Sequence, residues 1–123
     1  MVADFDEVLK NKPLKNNTQN KMNMKLVLIT CIEEFEKEVK KILNLSGVKT
    51  FSYQSVKGYK NAADNELNTW FATDAIGTDS LLFTVFAAHE CIVDLYAKAE
   101  AFNRKQESLS HIHIATIALE KFN

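Results

Sequence analysis

Two histidines near the end of the chain have a spacing that suits metal binding. His111 and His113 stand two residues apart in a strand-like stretch, so both imidazoles should project from the same face. Two imidazoles placed in this way can share a divalent ion such as zinc or nickel when a third ligand is present. His89 and Glu90 are the candidates for that third ligand. The alternative is that His111 and His113 are partly exposed or interface residues.

A second candidate surface is a long polar segment, Lys60 to Asp79, that carries large aromatic side chains. Loops of this length are more often functional or disordered than simple connectors. Trp70 and Phe71 lie within the segment and Tyr59 lies at its base. Large aromatics in a polar loop either pin the loop to the body of the protein or bind a partner. We assign Tyr59, Trp70 and Phe71 to partner binding, with the structural pin as the alternative for Trp70 and Phe71.

Composition restricts the class of protein. The chain has 123 residues, 46% hydrophobic and 25% charged, with a net charge of −1, which is typical of one globular domain. This balance does not favour a nucleic-acid partner, and no apolar run reaches the ~20 residues that span a bilayer. No secretory signal is evident, and two cysteines are too few for a disulfide scaffold. We therefore expect a cytoplasmic protein that is not membrane-inserted.

The hydrophobic pattern divides the chain into a tail and one folded domain. Residues 1–23 are polar and rich in Asn and Lys, and we expect a tail that is flexible or docked. Residues 24–123 alternate between strand and helix periods. The predicted strands are Lys25 to Cys31, Val48 to Lys57, Leu81 to Ala87 and His111 to Leu119, and the predicted helices are Ile32 to Leu45 and Ala88 to Phe102.

This order, β-α-β-β-α-β, predicts an α+β protein of the ferredoxin-like class. Both helices should cover one face of the sheet and leave the other bare. Phe51 and Tyr53 would suit a subunit interface on that bare face, so we expect an oligomer. Apolar residues at both parities of the last strand indicate either a bulge or burial on both sides.

No motif for catalysis is present in the sequence. It contains no nucleophile–base arrangement, no paired carboxylates and no glycine-rich phosphate loop. Since ferredoxin-like folds also host small enzymes, an enzyme that uses His89 or His111 is the lesser alternative. We expect a protein that is not an enzyme.

From Met24 onward the chain has a strand, a helix that ends at Gly47, and a strand that closes with Val56-Lys57-Gly58-Tyr59. In these features it resembles the P-II (PII) signalling family and its PII-like relatives, and the closing motif is similar to the family's Val-Lys-Gly-Phe. The segment that follows has about the length of the family's T-loop. Together these features cover roughly Met24 to Leu119.

The resemblance implies a trimer that binds an adenine nucleotide between its subunits. The positions that match the family's cleft are Ser52, Gly58, Ser110 and His111. It also implies that loop 59–79 contacts a membrane transporter or an enzyme. The leading hypothesis is therefore a non-catalytic regulatory or sensor protein, and the main alternative is a trimer that binds a divalent metal through His111 and His113.

Overall fold

A computed structural model of the protein describes residues 24–59 and 77–123. These residues form four strands and two α-helices in the predicted order. The strands are β1 (Lys25–Ile32), β2 (Ser52–Gly58), β3 (Thr78–Ala87) and β4 (His113–Ala118), and the helices are α1 (Glu36–Leu45) and α2 (His89–Lys105). A 3-10 turn, Glu33–Phe35, leads from β1 into α1.

The four strands form one antiparallel sheet in the order β2-β3-β1-β4. β1 pairs with β3 and β4, and β3 also pairs with β2. Each helix therefore links two parallel strands that have a third strand between them. This is the split β-α-β arrangement of the ferredoxin-like fold, and the predicted fold class is confirmed.

The core lies between the helices and one face of the sheet. Alternate residues of the two central strands point toward the helices, as the period of a strand requires. The buried apolar side chains of β1, β3, α1 and α2 are Val27, Ile29, Cys31, Leu81, Phe83, Val85, Ala87, Val39, Leu43, Ile92, Leu95 and Ala99. Burial raises the pKa of the Cys31 thiol to about 12, so this cysteine is a packing residue and not a nucleophile.

Helix α1 ends where the sequence predicts, at a glycine with a left-handed conformation. Gly47 has φ +86°, its N–H donates to the carbonyl of Asn44, and the N–H of Val48 donates to the carbonyl of Leu43. These two bonds form a Schellman motif, which satisfies carbonyls that the last turn leaves open. The chain then turns back toward the sheet.

Tyr53 and Phe51 lie on the helix side of the sheet and not on the bare side, which corrects the expectation for these residues. The Tyr53 ring stacks on the core residue Phe83, with 5.0 Å between ring centroids. Its hydroxyl accepts a hydrogen bond from Lys40 Nζ (2.9 Å) and donates to Glu36 Oε2 (3.1 Å) on α1. Periodicity shows which residues share a face, but it does not show which face the helices cover.

The sheet face opposite the helices carries exposed apolar side chains, and none of the described helices or strands covers it. We call it the open face. The cross-strand registers place its side chains in rows across the sheet. Phe86 is 57% exposed and Ile117 is 44% exposed, and both flank Leu26 in one row. The other apolar members among the described residues are Leu28, Leu82, Val56 and Ala115.

Strand β4 has apolar residues on both faces and pairs with β1 without interruption. The register runs from Thr30–His113 to Lys25–Ala118 with one residue opposite one throughout. Of the two explanations for the pattern of β4, the bulge is thus wrong for this ladder. Ile114 packs against the core, and Ile117 belongs to the open face.

Candidate functional site

The long polar segment leaves the sheet at a base that cross-strand contacts hold together. Gly58 pairs with Thr78, and Lys57 pairs with Asp79 one residue further into the sheet. Lys57 Nζ lies 2.5 Å from Asp79 Oδ1, and this hydrogen bond raises the pKa of Lys57. Both side chains are exposed, so the ion pair adds little to stability. It favours one register at the point where β2 ends and β3 begins.

The outermost contact of this base joins Tyr59 to Gly77. Gly77 has φ +93°, a conformation that side chains other than glycine rarely adopt. A Cβ atom at this position would lie 2.6 Å from Cε1 of the Tyr59 ring. The ring therefore covers the glycine backbone, and both the conformation and the space require glycine. We call Lys57–Tyr59 with Gly77–Asp79 the segment base.

At the same end of the sheet, loop 106–112 connects α2 to β4. Asn103, in the last turn of α2, fixes the end of this loop through its side-chain amide. Its Nδ2 donates to the carbonyl of Ile112 and its Oδ1 accepts from the N–H of Ile112, each at 2.8 Å. The amide thus makes the two backbone hydrogen bonds that a neighbouring strand would otherwise make with Ile112. Sequence inspection did not identify Asn103, because a polar residue near the end of a helix carries no distinctive signal.

We expect Asn103→Ala to destabilise the protein by about 2 kcal/mol, because two hydrogen bonds of about 1 kcal/mol each are lost. Urea unfolding measures this free energy. Glu100→Ala is the matched control on the same helix, since Glu100 makes only an exposed ion pair with Arg104. Equal losses in the two variants would show that the amide does not hold the loop.

The two hydrogen bonds between Asn103 and the backbone of Ile112 also determine where the two histidines point. Ile112 is buried in the core, so the residues on either side of it project toward the open face. The ring centroids of His111 and His113 lie 6.4 Å apart in an edge-to-face arrangement. Burial of the imidazole, followed by repulsion from His111, lowers the pKa of His113.

His89 does not join this pair within one chain. It begins α2 directly after β3 ends at Ala87, whereas His113 lies level with Leu82 across the sheet. Five residues of strand separate these levels, which is about 17 Å at the rise of a β-strand. Among the residues that the structure describes, no group of three His, Cys, Asp or Glu side chains could hold a metal ion.

The four ligand positions that the family resemblance implies do not meet within a single chain. Gly58 and His111 lie at the same end of the sheet but at opposite edges. Gly58 ends the outer strand β2, whereas Ser110 and His111 come shortly before the other outer strand, β4. Three strand spacings separate these edges, about 14 Å. Ser52 lies six residues from Gly58 along β2, about 20 Å away.

The remaining predicted partner residues fall outside the described part of the chain. Trp70 and Phe71 belong to residues 60–76, so their assignment stays a prediction. Tyr59 is described and is 61% exposed despite its contact with Gly77. One aromatic of the predicted partner surface is therefore accessible at the segment base.

Solved structures with the same fold give this geometry a context. A DUF3240 family protein from Shewanella baltica OS155 matches with a TM-score of 0.57 at 8% identity, covering 82% of this chain and 94% of its own. CPII from Thiomonas intermedia K12, bound to ADP and bicarbonate, matches at 0.50 and 12%, covering 78% and 89%. The B. subtilis GlnK–ATP complex matches at 0.52 and 16%, covering 77% and 82%. No family model and no curated protein matches the chain.

The chain has the PII-like fold. Sequence identities of 8% to 16% show the fold alone, and the PII-like resemblance of the sequence is confirmed at that level. Within the PII-like fold of this chain, the segment base and loop 106–112 lie at one end of the sheet, on opposite edges.

Loop 106–112 of this PII-like fold has its own chemistry. It contains no glycine, no lysine and no arginine, and it carries the acidic residue Glu107. The polar groups nearest β4 are Ser110 and His111, both partly exposed. Such a loop offers hydroxyl and imidazole groups to a ligand, but it offers no permanent positive charge.

Proposed function

We propose that this protein is a non-catalytic, PII-like regulatory protein that binds a small ligand between the subunits of a trimer. The observation that carries the proposal is the placement of the segment base and loop 106–112 at one end of the sheet but on opposite edges. Ser52, Gly58, Ser110 and His111 are the proposed ligand residues. Loop 59–79, with Tyr59, Trp70 and Phe71, is proposed to signal to a protein partner such as a transporter or an enzyme.

The trimer is supported by the open face. Its apolar rows, including Leu26, Phe86 and Ile117, run across three strands and need cover in water. A second and a third copy that pack the same face would bury these rows.

None of the described helices is long and apolar enough to cross a membrane. We propose a cytoplasmic location, since Cys31 and Cys91 are both free thiols.

An adenine nucleotide is the proposed ligand class, since CPII was solved with ADP and GlnK with ATP. The charge of loop 106–112 adds a preference within this class. We propose that the phosphates lie near loop 106–112, where each further phosphate adds negative charge beside Glu107 and the loop has no lysine or arginine to balance it. We therefore propose that nucleotides with fewer phosphates bind better than ATP.

Isothermal titration with AMP, ADP, ATP and cyclic AMP tests this proposal. We expect at least one adenine nucleotide to bind, with AMP or ADP tighter than ATP, and His111→Ala to weaken that binding. His89→Ala is the control, because His89 lies at the other end of the sheet. Absence of binding by all four nucleotides would remove the ligand class, and the tightest binding by ATP would remove the argument from charge.

A further inference from the structure

Two imidazoles, those of His111 and His113, lie next to each other on the open side of the sheet. His111 and His113 flank Ile112, whose side chain is buried in the core and whose backbone is held at both its N–H and its C=O by Asn103. The backbone between the two histidines is therefore fixed, and both rings lie on one side of it. Preorganisation of this kind lowers the entropic cost of binding a ligand.

We propose that His111 and His113 chelate a divalent cation of borderline softness, such as Zn²⁺, Ni²⁺ or Cu²⁺. Imidazole nitrogens suit these ions, whereas Mg²⁺ and Ca²⁺ prefer oxygen ligands. Since the described residues contain no group of three His, Cys, Asp or Glu side chains that could hold a metal ion, the proposed site has two protein ligands, and water completes the coordination. The pair shares His111 with the proposed nucleotide site, but both histidines belong to one chain, so the metal proposal does not require the trimer.

The geometry of the pair is close to that of a chelate. Zinc–nitrogen bonds of about 2.1 Å place each ring centroid about 3.2 Å from the ion, so two rings in tetrahedral positions are about 5 Å apart. The observed centroid separation is 6.4 Å. A small side-chain rotation closes this difference. His111 precedes the first residue of β4, so the ladder with β1 does not restrain it.

The ligand class follows from the donor atoms. The pair offers nitrogen without a thiolate, since Cys31 is buried in the core and Cys91 lies in the first turn of α2, at the same sheet end as His89. Affinity should therefore follow the order for nitrogen sites, in which Cu²⁺ exceeds Ni²⁺ and Zn²⁺. An ion that binds the folded chain but not the unfolded one raises the melting temperature as its concentration rises.

Thermal melts of the full chain, purified without a polyhistidine tag and stripped with EDTA, test the site. We expect Tm to rise with Zn²⁺ or Ni²⁺ concentration and to be unaffected by Mg²⁺. His111→Ala and His113→Ala should each abolish the rise, and His89→Ala and Cys91→Ser should keep it. Because His113→Ala changes a strand residue, His113→Gln is the second variant, and circular dichroism confirms that each variant is folded.

Electron paramagnetic resonance with one equivalent of Cu²⁺ supplies an independent readout. Two histidine ligands give splitting from two nitrogens, and we expect one ion per chain. A metal-dependent rise of Tm that survives in both folded His111→Ala and His113→Ala would overturn the proposal. So would a wild-type protein whose Tm does not respond to Zn²⁺, Ni²⁺ or Cu²⁺.

Discussion

Leu28→Asp should convert the proposed trimer to a monomer. Leu28 lies in the central strand β1, level with Thr84 on β3 and Ala115 on β4, so it is at the middle of the open face. A carboxylate at this position would have to be buried when the copies pack together, which costs several kcal/mol for a group without a partner. The free subunit tolerates it better, because water reaches this face when no other copy covers it.

Sedimentation velocity at micromolar concentration measures the outcome as a fall in mass from three chains to one. Val93→Asp is the matched control, since Val93 is 54% exposed on α2 and lies on the helix side of the sheet. It introduces the same charge in place of an apolar residue but leaves the open face intact. A wild-type protein that sediments as a monomer, or dissociation by Val93→Asp alone, would contradict the trimer through the open face.

Gly77→Ala should lower the free energy of unfolding far more than Gly47→Ala does. Both glycines have positive φ, +93° and +86°, so alanine is strained by about 1–2 kcal/mol at either position. At Gly47 the new Cβ would meet only Cys91 Sγ at 3.6 Å, an ordinary contact. At Gly77 it would lie 2.6 Å from the Tyr59 ring, so the ring must leave its place.

A double mutant separates the two causes. Tyr59→Ala combined with Gly77→Ala removes the collision but keeps the backbone strain. The decrease in its free energy of unfolding should therefore approach the decrease seen in Gly47→Ala. Hydrogen exchange at Gly58 and Thr78 reports the same effect locally. If Gly77→Ala is no more destabilising than Gly47→Ala, the Tyr59 ring does not cover Gly77 in solution.

The sequence predicted the order of elements because each has a clear period. β1 is a continuous apolar run, and α1 has an apolar stripe that ends at Gly47. The strand boundaries were less accurate. β2 begins at Ser52 and not at Val48, because the N–H of Val48 closes the end of α1. β3 begins at Thr78, ahead of Leu81, because Lys57 and Gly58 pair with the polar residues that precede its apolar part.

The site was harder to predict than the fold, since it depends on distances across the sheet. The spacing of His111 and His113 predicts two neighbouring rings, and the rings are neighbours. The sequence does not show that His89 begins α2 at the far end of the sheet from this pair. Gly77 stands out only as the single glycine of a long polar segment, and its contact with Tyr59 follows from the closing of β2 on β3.

Strand order also determines when the sheet can form. Among the described residues, one edge of β1 pairs with β3, which begins only at Thr78. The other edge pairs with β4, where Lys25 lies opposite Ala118, a residue 93 positions later in the chain. Contacts between such distant residues slow folding, and an unpaired apolar strand is prone to aggregate meanwhile. During synthesis the most apolar strand is therefore the first to emerge and the last to be paired on both sides. A chain that stops before His113 would expose one edge of β1 permanently.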